Sequence, residues 1–207
     1  MYSENEIVFE RGVLRQNEII LYYRKPVEAP GKRYLRILDQ RGQHLRDLPL
    51  PDLDDFNIYG MLPTDEGLLI YGYKFGSSER ASTVFFHVDL DGHVLFFKTF
   101  ANMQSVLSVC PASQGGYYFV ENADDGLNMF YLSGKGETEL QQSFFYNNLI
   151  SCRNIYEEAD GSLTCAGEMR VLPPDDRVRE KLFILHFPQK IKWEEPATEQ
   201  QWEAISK

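Results

Sequence analysis

The sequence predicts an all-β chain folded as a small β-propeller of four blades, with five as the alternative count. Three observations predict it: hairpins with glycine turns recur, they recur at a near-constant period, and each period holds about four short strands. The turn residues Asn17, Gly67, Gly116 and Gly161 lie 50, 49 and 45 residues apart. A period of this size with four strands per unit is the signature of propeller blades. The same hairpins also suit a β-sandwich or an open barrel, and that alternative stays open at this stage. The repeats run approximately over 1–50, 51–100, 101–150 and 151–195 of a single domain, and 196–207 is a tail with the pattern of a short helix.

The clearest unit is Thr83–Phe100, TVFFHVDLDGHVLFFKTF. Two apolar runs flank Asp89-Leu90-Asp91-Gly92, and an Asp-Gly pair there lets the backbone reach positive φ and close a hairpin. Alternation puts Val84, Phe86 and Val88 on one face, yet Phe85 on the other is apolar too. A strand apolar on both faces needs cover on both. Arg33–Leu48 has the same form, and Leu127–Phe144 is a more polar third copy. Their turn glycines Gly42, Gly92 and Gly136 each follow Asp39, Asp89 or Ser133 by three residues.

In chain order, the first repeat supplies strands at Ile7–Glu10, Glu18–Tyr23, Arg33–Leu38 and His44–Leu48. Seven of the chain's 21 Lys and Arg lie between Arg24 and Arg46, among them Lys25, Arg33 and Arg36, and they read as solvated strand ends. In the second repeat, His87 and His93 flank Asp89 and Asp91. These are metal-binding residue types, but nothing in a hairpin forces four ligands onto one point, and a polar edge is the better reading. The third repeat carries Glu121, Asp124 and Asp125, whose spacing matches no calcium loop. Phe144, Phe145 and Tyr146 follow. In the fourth, Cys152 and Cys165 lie on two arms of one hairpin, where they can face each other across the ladder; buried free thiols are the better reading, and whether the two pair is left open. In the tail, Trp202 and Ile205 share one side of a helical pattern too short to be stable alone.

Composition narrows the function. Net charge −10 argues against nucleic acid, because phosphate binding needs local positive charge. No stretch approaches a membrane span, and the charged N-terminus lacks a signal-peptide core, so the expected location is the cytoplasm. Three cysteines without framework spacing fit a reducing compartment. The sequence holds no G-x-S-x-G, phosphate loop, H-E-x-x-H or Cys-x-x-Cys, so no cofactor, metal or catalytic set is expected.

The second repeat, EGLLIYGY followed by FFHVDLDGHVLFFKTF, resembles bacterial propeller-type repeats, in which a glycine-closed apolar strand precedes an apolar-Asp-x-x-Gly-x-apolar segment ending in an aromatic residue. The match covers the first three repeats and little of the fourth. This resemblance implies a scaffold without catalytic residues of its own. A compact, acidic chain also resembles, in type, the antidote (immunity) proteins that neutralise secreted toxins.

The function expected is a non-catalytic protein-binding module, an acidic inhibitor or immunity protein acting on a basic toxin or enzyme. The candidate contact residues are Asp52, Asp54, Asp55, Asp124, Asp125, Phe145, Tyr146, Asp175, Asp176 and Trp202. The alternative is a hydrolase or lyase with its site at the propeller channel, where Tyr59, Gln104, Ser105 and Arg153 are the inner-strand polar residues. Oligomeric state is left open.

Overall fold

The computed structural model describes residues 7–25, 32–50, 56–75, 81–101, 103, 106–124, 126–145, 149–171 and 179–187. Every regular element in them is a strand. The first sheet contains β1 (Val8–Arg15), β2 (Glu18–Arg24), β3 (Arg33–Asp39) and β4 (His44–Pro49), paired in sequence order. The second contains β5 (Phe56–Pro63), β6 (Gly67–Phe75), β7 (Ala81–Asp89) and β8 (Val94–Phe100), and the third β9 (Val106–Pro111), β10 (Tyr117–Ala123), β11 (Gly126–Leu132) and β12 (Thr138–Phe145). The fourth has three strands, β13 (Leu149–Glu157), β14 (Leu163–Val171) and β15 (Arg179–Phe187). All pairings are antiparallel.

The propeller expected from the period, and implied by the resemblance to propeller-type repeats, is corrected by this topology. The strands make four discrete antiparallel sheets, none of them closed. The physical reason is that a period near 50 residues reports a four-strand meander, whereas closure depends on packing between sheets, which strand spacing does not encode. The chain instead divides into two compact units, Met1–Met103 and Gln104–Lys207.

Each unit has its own core. In the first, alternation in β2 and β3 turns Ile20, Tyr22, Leu35 and Ile37 inward, where they meet Ile70 and Phe86 from the second sheet. The doubly apolar β7 is buried on both faces, from Val84 to Val88. On the face away from that core, Phe85 stacks on Tyr71 at 5.9 Å and meets the edge of Phe100 at 5.7 Å. In the second unit, Val120, Leu127 and Met129 pack with Ile155, Cys165 and Leu185. Cys152 and Cys165, whose pairing the sequence left open with free thiols favoured, are bonded across β13 and β14 with Cα atoms 6.4 Å apart. Cys110 is free, and burial pushes its thiol up to about 12. Among the described residues no helix is long and apolar enough to cross a membrane.

The three related turns share one construction. Asp39 Oδ1 accepts the amides of Arg41 and Gln43, both at 2.8 Å, and Asp89 Oδ1 accepts those of Asp91 and His93 at the same distance. Ser133 Oγ accepts those of Lys135 and Glu137 at 3.3 and 3.0 Å, so the serine does the work of the aspartate. Gly42, Gly92 and Gly136 take φ of 78°, 91° and 84°, as the closing position requires. At Gly92 the nearest neighbour to an added Cβ is the Pro49 carbonyl oxygen at 3.7 Å, so there is room and the cost of a side chain is conformational. Gly92→Val should therefore lower stability by roughly 1–2 kcal/mol. A thermal melt of the variant that overlays the parent's would contradict this.

Candidate functional site

The densest group of charged and aromatic side chains lies on the outer face of the first sheet. In β3, Leu35 and Ile37 point into the core, so Tyr34 and Arg36 point the other way. Strand register then brings Tyr23 beside Tyr34, Phe9 beside Tyr23, and Asp47 beside Arg36. The Tyr23 and Tyr34 rings stack at 5.2 Å, and Phe9 meets Tyr23 at 5.7 Å. The Arg36 guanidinium lies over Tyr23 at 4.9 Å and over Phe9 at 5.9 Å. Its Nε donates to Asp47 Oδ1 and its terminal nitrogen to Oδ2, both at 2.8 Å, and His44 Nε2 lies 3.2 Å from Oδ1.

This bidentate pairing holds the Asp47 carboxyl down at about 2, although partial burial works against it. The same hydrogen bonds raise Arg36. Burial pushes Tyr23 up to about 12, with the Asp47 carboxylate adding to the effect. The guanidinium is thus saturated and oriented, and little of its charge remains for a free anion. What the face offers outward is apolar: Phe9 is 49% exposed and Leu14, on the same side, 66%.

The second group is Asp89, Asp91 and His93 at the β7–β8 turn, whose ligand atoms all lie within 4.8 Å of one another. Asp89 is already engaged, because Oδ1 closes the turn and Oδ2 lies 2.9 Å from His93 Nδ1. His87 does not join them. It is buried, its Nε2 lies 2.8 Å from Thr64 Oγ1, and burial lowers its pKa.

The structure does not assemble the contact set expected from the sequence. Asp52, Asp54, Asp55, Asp125, Tyr146, Asp175, Asp176, Trp202 and the whole 196–207 tail lie outside the described residues. Phe145 ends β12, with its side chain also outside them, and Asp124 is exposed in the turn before β11. Of the inner-strand polar residues, Gln104 and Ser105 lie outside the described residues. Tyr59 packs on Tyr73 at 4.9 Å, and Arg153 pairs with Glu168 at 3.4 Å. Sequence reasoning took Arg36 for a solvated strand end and passed over Phe9, Tyr23 and Tyr34. The signal was present in Tyr34-Leu35-Arg36-Ile37, where two core residues alternate with an aromatic and a cation.

No protein-family model matches the chain, and no curated protein matches it, so the resemblance in type to immunity proteins gains no support. Among solved structures, it is similar to a protein of unknown function from Bacteroides caccae at 14% identity and a TM-score of 0.46, over 80% of this chain and 57% of that one. A streptogramin B lyase is similar at 11% identity and a TM-score of 0.42, over 89% and 70%. A functionally unknown protein from Desulfotomaculum acetoxidans is similar at 12% and 0.42, over 79% and 51%. The chain thus spans little more than half the length of the first and third. Likeness at this level carries no information about activity or ligands.

The turn cluster makes a pH prediction. The Asp89 hydrogen bond raises His93, and His93 in turn lowers Asp89. The raised imidazole contributes fully below its ordinary value and loses its contribution as pH climbs through the folded one. The lowered carboxyl contributes fully above its ordinary value and loses its contribution as pH falls through the folded one. The pair therefore supports the turn best between about pH 4 and about pH 6.5. In an NMR titration His93 should protonate above the ordinary imidazole value. Asp89→Asn, which keeps a turn acceptor, should bring it back, and an unchanged midpoint would remove the pairing.

Proposed function

We propose that this chain is a non-catalytic protein-binding module, an acidic inhibitor of a basic enzyme or toxin. One observation carries the reading: the outer face of the first sheet exposes Phe9 and Leu14, on the same side as a guanidinium already fixed by Asp47 and by two rings. Aromatic and arginine side chains held rigid beside exposed apolar area are the usual anchors of a protein contact. A net charge of −10 supports a partner of opposite charge, drawn in by long-range attraction.

The competing reading is a hydrolase or lyase. Among the described residues its support is the Asp89–Asp91–His93 group, which has the residue types for a divalent cation. A zinc titration followed on the His93 ring resonances separates the two. Stoichiometric saturation that is lost in Asp91→Asn favours a metal-dependent site, and resonances that stay put remove it.

The binding reading is tested by using the parent and Leu14→Asp chains as baits in native capture. A basic protein held by the parent should bind the variant about tenfold more weakly or worse, the effect of losing a contact of roughly 1.5 kcal/mol. Its association with the parent should slow as salt rises. Equal affinity for both baits, at equal melting temperature, would overturn the assignment of this face.

A further inference from the structure

The core of the second unit holds Cys110, Cys152 and Cys165 in one buried cluster, and the last two are bonded to each other. Cys110 is free, and with its thiol pushed up by burial it stays protonated at neutral pH and is a poor nucleophile. Exchange chemistry in this core therefore falls to the Cys152–Cys165 pair.

The surroundings of that pair suit two states. Cys152 opens the register shift between Cys152 and Asn154, and Arg153, the residue left over there, has a half-exposed side chain. The ladder between β13 and β14 is interrupted at that point. The hairpin opens there at lower cost than along its regular part, which gives a small thiol a route to sulfurs that are themselves buried. The reduced form also has a place in the core. Cys152 Sγ lies 3.3 Å from the Asn154 carbonyl oxygen, which is positioned to accept a thiol proton. Such a proton exists only after the bond is broken.

The segment carrying Cys152 is also a seam. Cys152 N donates to Asn122 Oδ1 at 2.6 Å, and Asn122 Nδ2 donates back to the Cys152 carbonyl oxygen at 3.4 Å. Ile155 N donates to Ser108 Oγ at 2.9 Å. Asn122 and Ser108 are buried side chains of β10 and β9, so these bonds join the fourth sheet to the third.

We infer that the Cys152–Cys165 bond is a reversible redox switch, and that its state sets how firmly β13 is held in the seam between the third and fourth sheets. Closed, the bond ties β13 to β14 between positions 13 apart in sequence and removes conformations in which the two strands part. Open, the strand is held by its ladder, its packing and the Asn122 and Ser108 bonds. The chemistry is thiol–disulfide exchange with a small thiol of the glutathione class. Two such molecules each give up one hydrogen, the S–S bond breaks, both cysteines end as thiols, and the two small molecules leave joined as a disulfide. Oxidation runs the same exchange backwards. The switch lies in the second unit, whereas the Phe9–Arg36 face belongs to the first, and it rests on neither functional reading above.

The test compares the intact chain equilibrated with oxidised and with reduced glutathione. After unfolding, the oxidised chain should take up a thiol label at Cys110 alone, and the reduced chain at Cys110, Cys152 and Cys165. In the reduced chain the Cys152 and Ile155 amides should exchange with deuterium about tenfold faster or more, and the melting temperature should fall by roughly 5 °C. Cys110→Ala should keep both differences, and the Cys152→Ala, Cys165→Ala double variant should lose them. A pair that stays open in oxidised glutathione, or closed in reduced glutathione, overturns the inference. So do equal amide exchange and equal melting in the two parent states, or a redox difference that survives the double alanine. The two parent states decide even where a cavity-forming variant unfolds.

Discussion

The structure depends on how its hairpins are closed. At Asp39, Asp89 and Ser133 one side-chain oxygen accepts two backbone amides, and a glycine three residues on supplies the left-handed conformation. This leaves no freedom in where the returning strand begins, and a slip of one residue would exchange the two faces of that strand. For β4 the consequence is direct. The Asp39 turn places His44 opposite Leu38, and a bulge just beyond it then shifts β4 by one residue so that Asp47 meets Arg36; without that shift the carboxylate would turn toward the core. The Asp89 turn likewise creates its own cluster, since the oxygen that does not cap the turn holds the His93 ring.

A second constraint shapes the other end of each sheet. The first hairpin of every sheet carries a register shift, at Phe9/Arg11, Ile58/Gly60, Phe119/Glu121 and Cys152/Asn154. Such bulges add twist and re-aim the side chains beyond them. In the fourth sheet the shift puts Cys152 and Cys165 on one face, within bonding reach. Opposite the same shift Gly167 allows the backbones to approach, because a Cβ there would strike the Ser151 carbonyl oxygen. Gly72 faces Asn57 in the same way in the second sheet.

The two electrostatic groups differ in what they leave available. Arg36 is covered by two rings, and it and Asp47 satisfy one another. What this face leaves open to solvent is apolar, Phe9 and Leu14. Asp89 and His93 lie in the open, where solvent screens the pair and pH tunes it. One group is locked by internal pairing, and the other chiefly holds a turn.

How much of this was legible in the sequence varies with the physics involved. The turns and the strands around them were, because Asp-x-x-Gly between apolar runs encodes a local geometry that needs no distant partner. The doubly apolar β7 was legible for a similar reason, since alternation in TVFFHV shows two buried faces directly. The propeller was inferred from the same periodicity and did not survive, because meanders fix strand pairing and leave sheet packing to side chains far apart in the chain. The aromatic–guanidinium face was half legible. Alternation separates Tyr34 and Arg36 from Leu35 and Ile37, but Phe9, Tyr23 and Asp47 reach them only through the register of three hairpins. Sequence alone determined which residues turn, pair and alternate, for these follow from backbone conformation and hydropathy within a few residues. Tertiary structure decided which charges meet, which rings cover them and which apolar side chains stay exposed, because those outcomes depend on distances that only the assembled sheets define.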